Sequence, residues 1–240
     1  MKASIITTCK GRLQHIKQTL PLMIAQDYDS FEVIVVDYGD PDGCAKALTK
    51  AHSSVKFIRV LDNTATFSPS RARNIGAIEA TGELLAFVDG DILLEDTWLS
   101  VCANKMADGA NLVLPEGHSS EVTGTCVIDK RLYRTIRGYG EDLLDWGYQD
   151  YDLYNRARES GAVVAAYPQE QVTAIANSDE ERVGNYADHR TTYTGTRNKK
   201  ISKRRIGCVN PDGYGLGKTE VVVNGKSHEK LIVKHTQAVQ

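Results

Sequence analysis

ELLAFVDGDILLEDTWL, residues 83–99, carries the reading of this chain. Leu84 to Val88 are continuously apolar, which predicts a strand buried on both faces of a sheet. That strand ends at Asp89, and a second carboxylate, Asp91, follows one residue later. If the backbone stays extended, the two point the same way. If it turns, each is free to bond backbone amides instead. Glu95 to Met106 then predicts a helix. Upstream, Ser70 to Ala80 reads as another, with Ser68 or Ser70 able to cap it. Further out lie three more strand-like runs, KASIITT (2–8), FEVIVVD (31–37) and VKFIRV (55–60). Helical stretches from about Arg12 to Gln26 and Ala45 to Ala51 separate them, and NLVLP (111–115) adds a fifth strand. This alternation predicts an α/β fold, a doubly wound, mostly parallel sheet with helices on both faces.

After Pro115 the rhythm changes. EVTGTCVID (121–129) reads as a strand, Tyr148 to Ser160 as a helix, and AVVAAYP (162–168) as a strand. Asn177 to Arg205 is polar and charged, a loop or helical flap. TEVVVNGKSHEKLIVKH (219–235) predicts a β-hairpin turning at Asn224-Gly225. The expected organisation is an α/β half over 1–115, a second half of the same domain over 116–196, and a basic extension with a β-hairpin over 197–240.

At 240 residues the chain can bury roughly 70% of its unfolded surface and needs no disulfide or metal staple. Its five cysteines form no Cys-x-x-Cys pair, which argues against a disulfide framework and a zinc knuckle. The net charge of −2 excludes a generic nucleic-acid binder. Charge is uneven, however. Residues 197–240 hold ten Lys/Arg against three Asp/Glu, a net of +7, and the preceding 196 residues carry −9. No run approaches the ~18 apolar residues of a membrane span, and the N-terminus lacks a secretory pattern. A cytoplasmic protein is expected, with any contact at the inner membrane face coming from the basic segment 197–205. GYGLGKT (213–219) superficially matches a phosphate loop, but its spacing is one residue short and its strand–helix context is missing.

Open α/β sheets bind ligands at the carboxyl ends of their strands. There this chain places Thr7, Thr8, Lys10 and Arg12 after the first strand and Asp37, Asp40 and Asp42 after the second. Asp89 and Asp91 follow the fourth, as hard oxygen donors that suit Mg²⁺ or Mn²⁺ with a diphosphate completing the shell.

FSPSRARNIGAIEATGELLAFVDGDILLEDTWL (67–99) closely resembles the central segment of inverting family 2 glycosyltransferases of the GT-A fold. TTCKGR (7–12), IAQDY (24–28) and FEVIVVDYGDPDG (31–43) extend the resemblance from about Ser4 to Trp98. GYGEDLLDWGYQDYDLYNRAR (138–158) resembles the Trp-Gly-x-Glu-Asp-x-Asp motif of β-1,4-galactosyltransferases and related bacterial galactosyl- and N-acetylgalactosaminyl-transferases. The resemblance implies a nucleotide-diphospho-sugar transferase fold and a UDP-sugar donor, galactose or N-acetylgalactosamine favoured. The implied acceptor is a glycan or a lipid-linked oligosaccharide, and the implied cofactor Mn²⁺ or Mg²⁺. Asp150 falls on the catalytic base, with Asp152 or Asp142 as alternatives. Trp146, Gly147, Asp142 and Gln149 fall on the sugar-binding positions, Gln149 standing where the family has glutamate. Thr8, Lys10, Arg12, Asp37, Arg71 and Asp89 face the nucleotide in this reading, and Asp91 with Asp89 holds the metal. Arg71 and Arg73 lie two apart on one helix and cannot share a face. At most one is then expected to reach a diphosphate, and the resemblance implies Arg71, with Arg73 as a structural ion-pair partner. The family's metal-binding histidine is replaced by Asn177, in ANSDEERVGNY (176–186), with His189 as another candidate ligand and a helix cap as the plainer role of Asn177. A retaining transferase and a non-catalytic binding module on the same fold are the rival readings.

Overall fold

The computed structural model describes residues 1–62, 66–117 and 121–232. Its centre is a parallel block of four strands, β1 (Ala3–Cys9), β2 (Phe31–Asp37), β3 (Lys56–Val60) and β4 (Leu84–Phe87), in the order β3-β2-β1-β4. The direction of winding reverses beside β1, which creates a crevice at the carboxyl ends of β1 and β4.

Each central strand is apolar on both sides and divides its residues between two cores. Ile5, Val33, Val35, Leu84 and Ala86 face one core, while Ile6, Ile34, Val36, Leu85 and Phe87 face the other. Helices α1 (Leu13–Ile24), α2 (Cys44–Leu48) and α4 (Trp98–Ala107) cover the first core. The second is covered by α3 (Pro69–Glu79), α5 (Lys130–Thr135) and α6 (Gln149–Glu159). Helix α3 starts where Ser68 accepts the Arg71 N–H and Pro69 occupies the first turn, where its missing N–H costs nothing.

The flanks depart from a simple βα alternation. The expected fifth strand, β6 (Leu112–Pro115), runs in the same direction as β4 but one place away, because the antiparallel strand β7 (Cys126–Asp129) inserts between them. β8 (Val164–Tyr167) closes this side in parallel with β6. Opposite, the hairpin β10 (Gly217–Val223) and β11 (Lys226–Ile232) extends the sheet antiparallel to β3. Its Asn224-Gly225 turn has φ of 50° and 72°, the left-handed pair that a tight hairpin requires. Residues 233–235 of the expected second hairpin strand lie outside the described residues. The polar segment after Asn177 folds into two helices, α7 (Asp179–Val183) and α8 (Thr191–Arg204). Among the described residues, no helix is long and apolar enough to cross a membrane.

One half-buried carboxylate ties three strands of the sheet together. Glu32 accepts hydrogen bonds from Thr81 Oγ1 (2.6 Å) and N (2.6 Å), Ser4 Oγ (2.8 Å) and Lys56 Nζ (3.0 Å). Burial pushes its carboxyl up, but the Thr81, Ser4 and Lys56 donors outweigh this and hold it at about 2. A carboxyl depressed on folding adds stability above its unfolded value, and that stability is lost as pH falls toward the folded one. Glu32→Gln is therefore expected to lower stability by about 3 kcal/mol at pH 7, from a shift between 4.5 and about 2. In urea titrations the gap should narrow steadily below pH 4.5. A pH-independent gap would assign the loss to packing.

Candidate active site

A cavity of about 700 Å³ opens at the carboxyl ends of β1 and β4. Thr8, Lys10 and Arg12 line it from the end of β1, and Asp89, Gly90 and Asp91 from the end of β4. Arg73 enters from α3, and Trp146, Gly147 and Asp150 from the start of α6.

The chain turns rather than extends between the two aspartates, with Ile92 N donating to Asp89 O at 3.1 Å. Both side chains nevertheless reach the cavity. Beyond the turn, β5 (Ile92–Leu94) pairs with β9 (Val172–Ala174), and Ile175 N donates to Asp91 O at 2.8 Å. That small sheet delivers Asn177 to Asp91. Asn177 Nδ2 donates to Asp91 Oδ2 at 2.6 Å, while Arg12 Nη1 donates to Asn177 Oδ1 at 2.5 Å. Burial and the neighbouring Asp89 charge push the Asp91 carboxyl above its usual range, against the pull of Arg12.

Asp150 stands in the first turn of α6, where a negative charge is stabilised by the helix dipole. Arg73 joins it to the first carboxylate. Its Nη1 donates to Asp150 Oδ1 at 3.2 Å and its Nη2 to Asp89 Oδ1 at 2.5 Å. Tyr139 OH donates to the same Asp150 oxygen at 3.3 Å, and the guanidinium lies 5.0 Å from the Tyr139 ring centroid. Desolvation pushes the Asp150 carboxyl upward. Arg73 pulls it back, and Asp89 pushes it further up.

The Trp146-Gly147 pair has a backbone cause. Gly147 has φ of 101°, and a Cβ there would stand 3.1 Å from the Gly195 Cα of α8. Tyr148 follows at φ 73°, and Asn198 Nδ2 donates to Gly147 O at 2.8 Å. The turn is thereby pressed against α8 with Trp146 lining the cavity.

Several assigned residues lie elsewhere. Arg71 does not line this cavity; its Nη2 donates to Leu216 O (2.9 Å) and Asp62 Oδ1 (2.7 Å), and its Nη1 to Tyr38 OH (3.0 Å). Arg73 makes the ion pairs expected of it, with Asp89 and Asp150, but does so inside the cavity, whereas Leu216 O, Asp62 and Tyr38 hold Arg71 away from it. Asp37 turns inward and accepts from Asp40 N and Ala45 N at 2.8 and 2.9 Å, fixing the start of α2. Asp142 pairs with Arg205 at 2.7 Å. Asp152 is 1% exposed and held by Arg156 and Arg205, so of the three candidate bases only Asp150 reaches the cavity. Gln149 also lines it, though its Nε2 donates to Asp145 O. Asn177 is not the cap of α7; that is Ser178, in a capping box with Glu181. His189 Nε2 lies 3.1 Å from Tyr186 O, beside a separate groove. In the basic segment, Arg197 and Arg205 turn to Asp145 and Asp142, while Lys199, Lys200, Lys203 and Arg204 are exposed. Tyr139 and Gly124 escaped the sequence reading. A Cβ at Gly124 would collide with Asp89, a contact with no local signature.

The profile of Glycosyl transferase family 2 matches residues 4–164, more than half of the chain. The chain belongs to glycosyl transferase family 2. This family 2 chain is 29% identical over 98 residues to Glycosyltransferase AglE of Haloferax volcanii, covering 40% of the chain and 32% of the relative. It thus spans about a third of that relative's length. Among solved structures it is similar to Mannosyltransferase PcManGT of Pyrobaculum calidifontis in complex with GDP-Man and Mn²⁺. That likeness has a TM-score of 0.65 at 18% identity and covers 88% of this chain and 66% of that one. S. aureus TarS 1-349 in complex with UDP is similar with a TM-score of 0.62 at 20% identity, covering 76% and 62%. These likenesses show that the family 2 chain has the GT-A fold.

Proposed function

We propose that the chain is an inverting glycosyltransferase that moves a sugar from a UDP-sugar to a hydroxyl of a glycan or lipid-linked acceptor. Galactose and N-acetylgalactosamine are the donor sugars favoured by the motif around Trp146. The observation that carries this reading is the entry of Asp150 and the Asp89/Asp91 pair into one cavity from different elements. A binding module has use for the second feature but none for a carboxylate like Asp150. The UDP and the GDP-Man with Mn²⁺ in the two solved neighbours support a nucleotide-sugar donor.

Among the described residues no three His, Cys, Asp or Glu side chains cluster as a complete metal site. The residues present do fit a hard dication with a partial protein shell. Asp89 repels Asp91, and that surplus negative charge in oxygen ligands suits Mn²⁺ or Mg²⁺. Asp91 and Asp89 would hold it, and a bound dication supplies charge that stabilises a leaving diphosphate. Lys10 and Arg12 add positive charge on the same edge. Asp150 takes the proton of the acceptor hydroxyl, its carboxylate oriented by Tyr139 and Arg73. Attack from the Asp150 side, opposite the leaving group, turns an α-linked donor into a β-glycoside. The exposed cations Lys200, Lys203 and Arg204 support contact with an anionic membrane face that presents a lipid-linked acceptor.

A UDP-release assay across donor sugars, with the product anomer read by NMR, tests the whole reading. β-Linked product is expected; α-linked product would establish the retaining rival, and no release from any donor would leave a binding module. Calorimetry tests the metal. Mn²⁺ should bind weakly to the protein alone and firmly with UDP present, because the diphosphate supplies the missing ligands. Asn177→His, next to Asp91, is expected to tighten Mn²⁺ binding. Tight binding to the nucleotide-free protein would show a complete protein-built site and overturn this assignment.

A further inference from the structure

Beside the Trp146–Tyr148 turn, one face of α8 walls the cavity. Thr191, Gly195 and Lys199 recur there at four-residue spacing, flanked by Thr192 and Thr196. A second groove of about 850 Å³ runs along the same helix and shares Thr191, Thr192 and Thr196 with the cavity. The two spaces therefore border the same three threonines of α8. Tyr193, 52% exposed, lies in the second groove beside His189 and Glu180.

Gly195 stands in the wall of the cavity. It sits inside a 14-residue helix, where glycine is among the poorest formers. A Cβ built there meets nothing within 4 Å, and its backbone has no left-handed φ. Neither strain nor a clash calls for glycine at this position. What its missing side chain leaves is open space in the wall of the cavity that Trp146 and Asp150 also line.

Resting on the transferase reading above, we propose that the acceptor is an oligosaccharide of at least two units. Its reacting sugar lies beside Asp150 and Gly195, and its next sugar crosses Thr192 and Thr196 into the groove at Tyr193. Hydroxyl side chains, an aromatic ring and an uncharged glycine floor match the hydroxyls and C–H faces of sugar rings.

The test uses the full chain and β-linked galactose and N-acetylglucosamine oligomers of one to six units. Calorimetric binding and, with a UDP-sugar, transfer kinetics are both measured against length. Affinity and kcat/KM should rise about tenfold from one unit to two, and Tyr193→Ala should cut that gain to about twofold. Gly195→Leu should raise the acceptor KM about tenfold or more, with a melting temperature at or above that of the wild type. Gly195→Ala, a smaller intrusion, should fold equally well and show an intermediate KM. Length-independent binding, or normal acceptor use by Gly195→Leu, would overturn the proposal. Length-dependent binding without UDP release from any donor would sink the transferase reading and leave the glycan groove standing.

Discussion

Asp150→Asn is expected to lower turnover by roughly 10²–10⁴-fold while nucleotide binding stays close to normal. The amide keeps the shape of the carboxylate and can still accept from Tyr139 and Arg73, but it no longer has the affinity to take a proton. The pH profile gives a second readout. Burial holds the Asp150 carboxyl above its ordinary range, so the acid limb of kcat/KM should lie above the usual Asp value of about 4. Activity falls as pH drops through that raised value, because the carboxylate is then protonated. Near-normal turnover in the variant would remove Asp150 as the base. Neither Asp152 nor Asp142 could replace it without breaking from Arg205.

Arg73→Met should cost about 3 kcal/mol of folding stability at pH 7, the usual scale for breaking a buried ion pair from one side. Arg73 has 10% of its side chain exposed and is placed between Asp89 and Asp150. Without it, two carboxylates share a desolvated edge with no cation between them. The Asp150 carboxyl then rises further, so the penalty is largest where it is ionised and shrinks as falling pH protonates it. Urea midpoints of wild type and variant at pH 7 and pH 4 check this. An equal loss at both values would mean that Arg73 matters through packing alone. Arg73→Lys keeps a charge but cannot fork to both carboxylates, so it should recover only part of the loss.

The central sheet was legible because its signals are local. Val33 to Val36 read as a strand buried on both faces, and the structure divides them between the two cores, as alternation along a strand requires. The hairpin turn at Asn224-Gly225 was equally readable, since left-handed φ values favour those residue types. The insertion of β7 between β4 and β6 was not, because strand order depends on which edges meet after collapse. The site divides in the same way. Placing Asp89 and Asp91 needed only a strand end, and Asp150 was singled out by the resemblance of the motif around Trp146-Gly147. Which of Arg71 and Arg73 reaches the cavity depends on acceptors far away in sequence, Leu216 O for one and Asp150 for the other. Asn177 likewise meets Asp91 only because β9 pairs with β5. Periodicity and turn chemistry act over a few residues, so the sequence by itself determined the sheet, its two apolar faces and the edge where the carboxylates collect. Which cation bridges them, which side chains turn away and where α8 opens a groove depend on contacts between distant segments, and only the packed tertiary structure decided those.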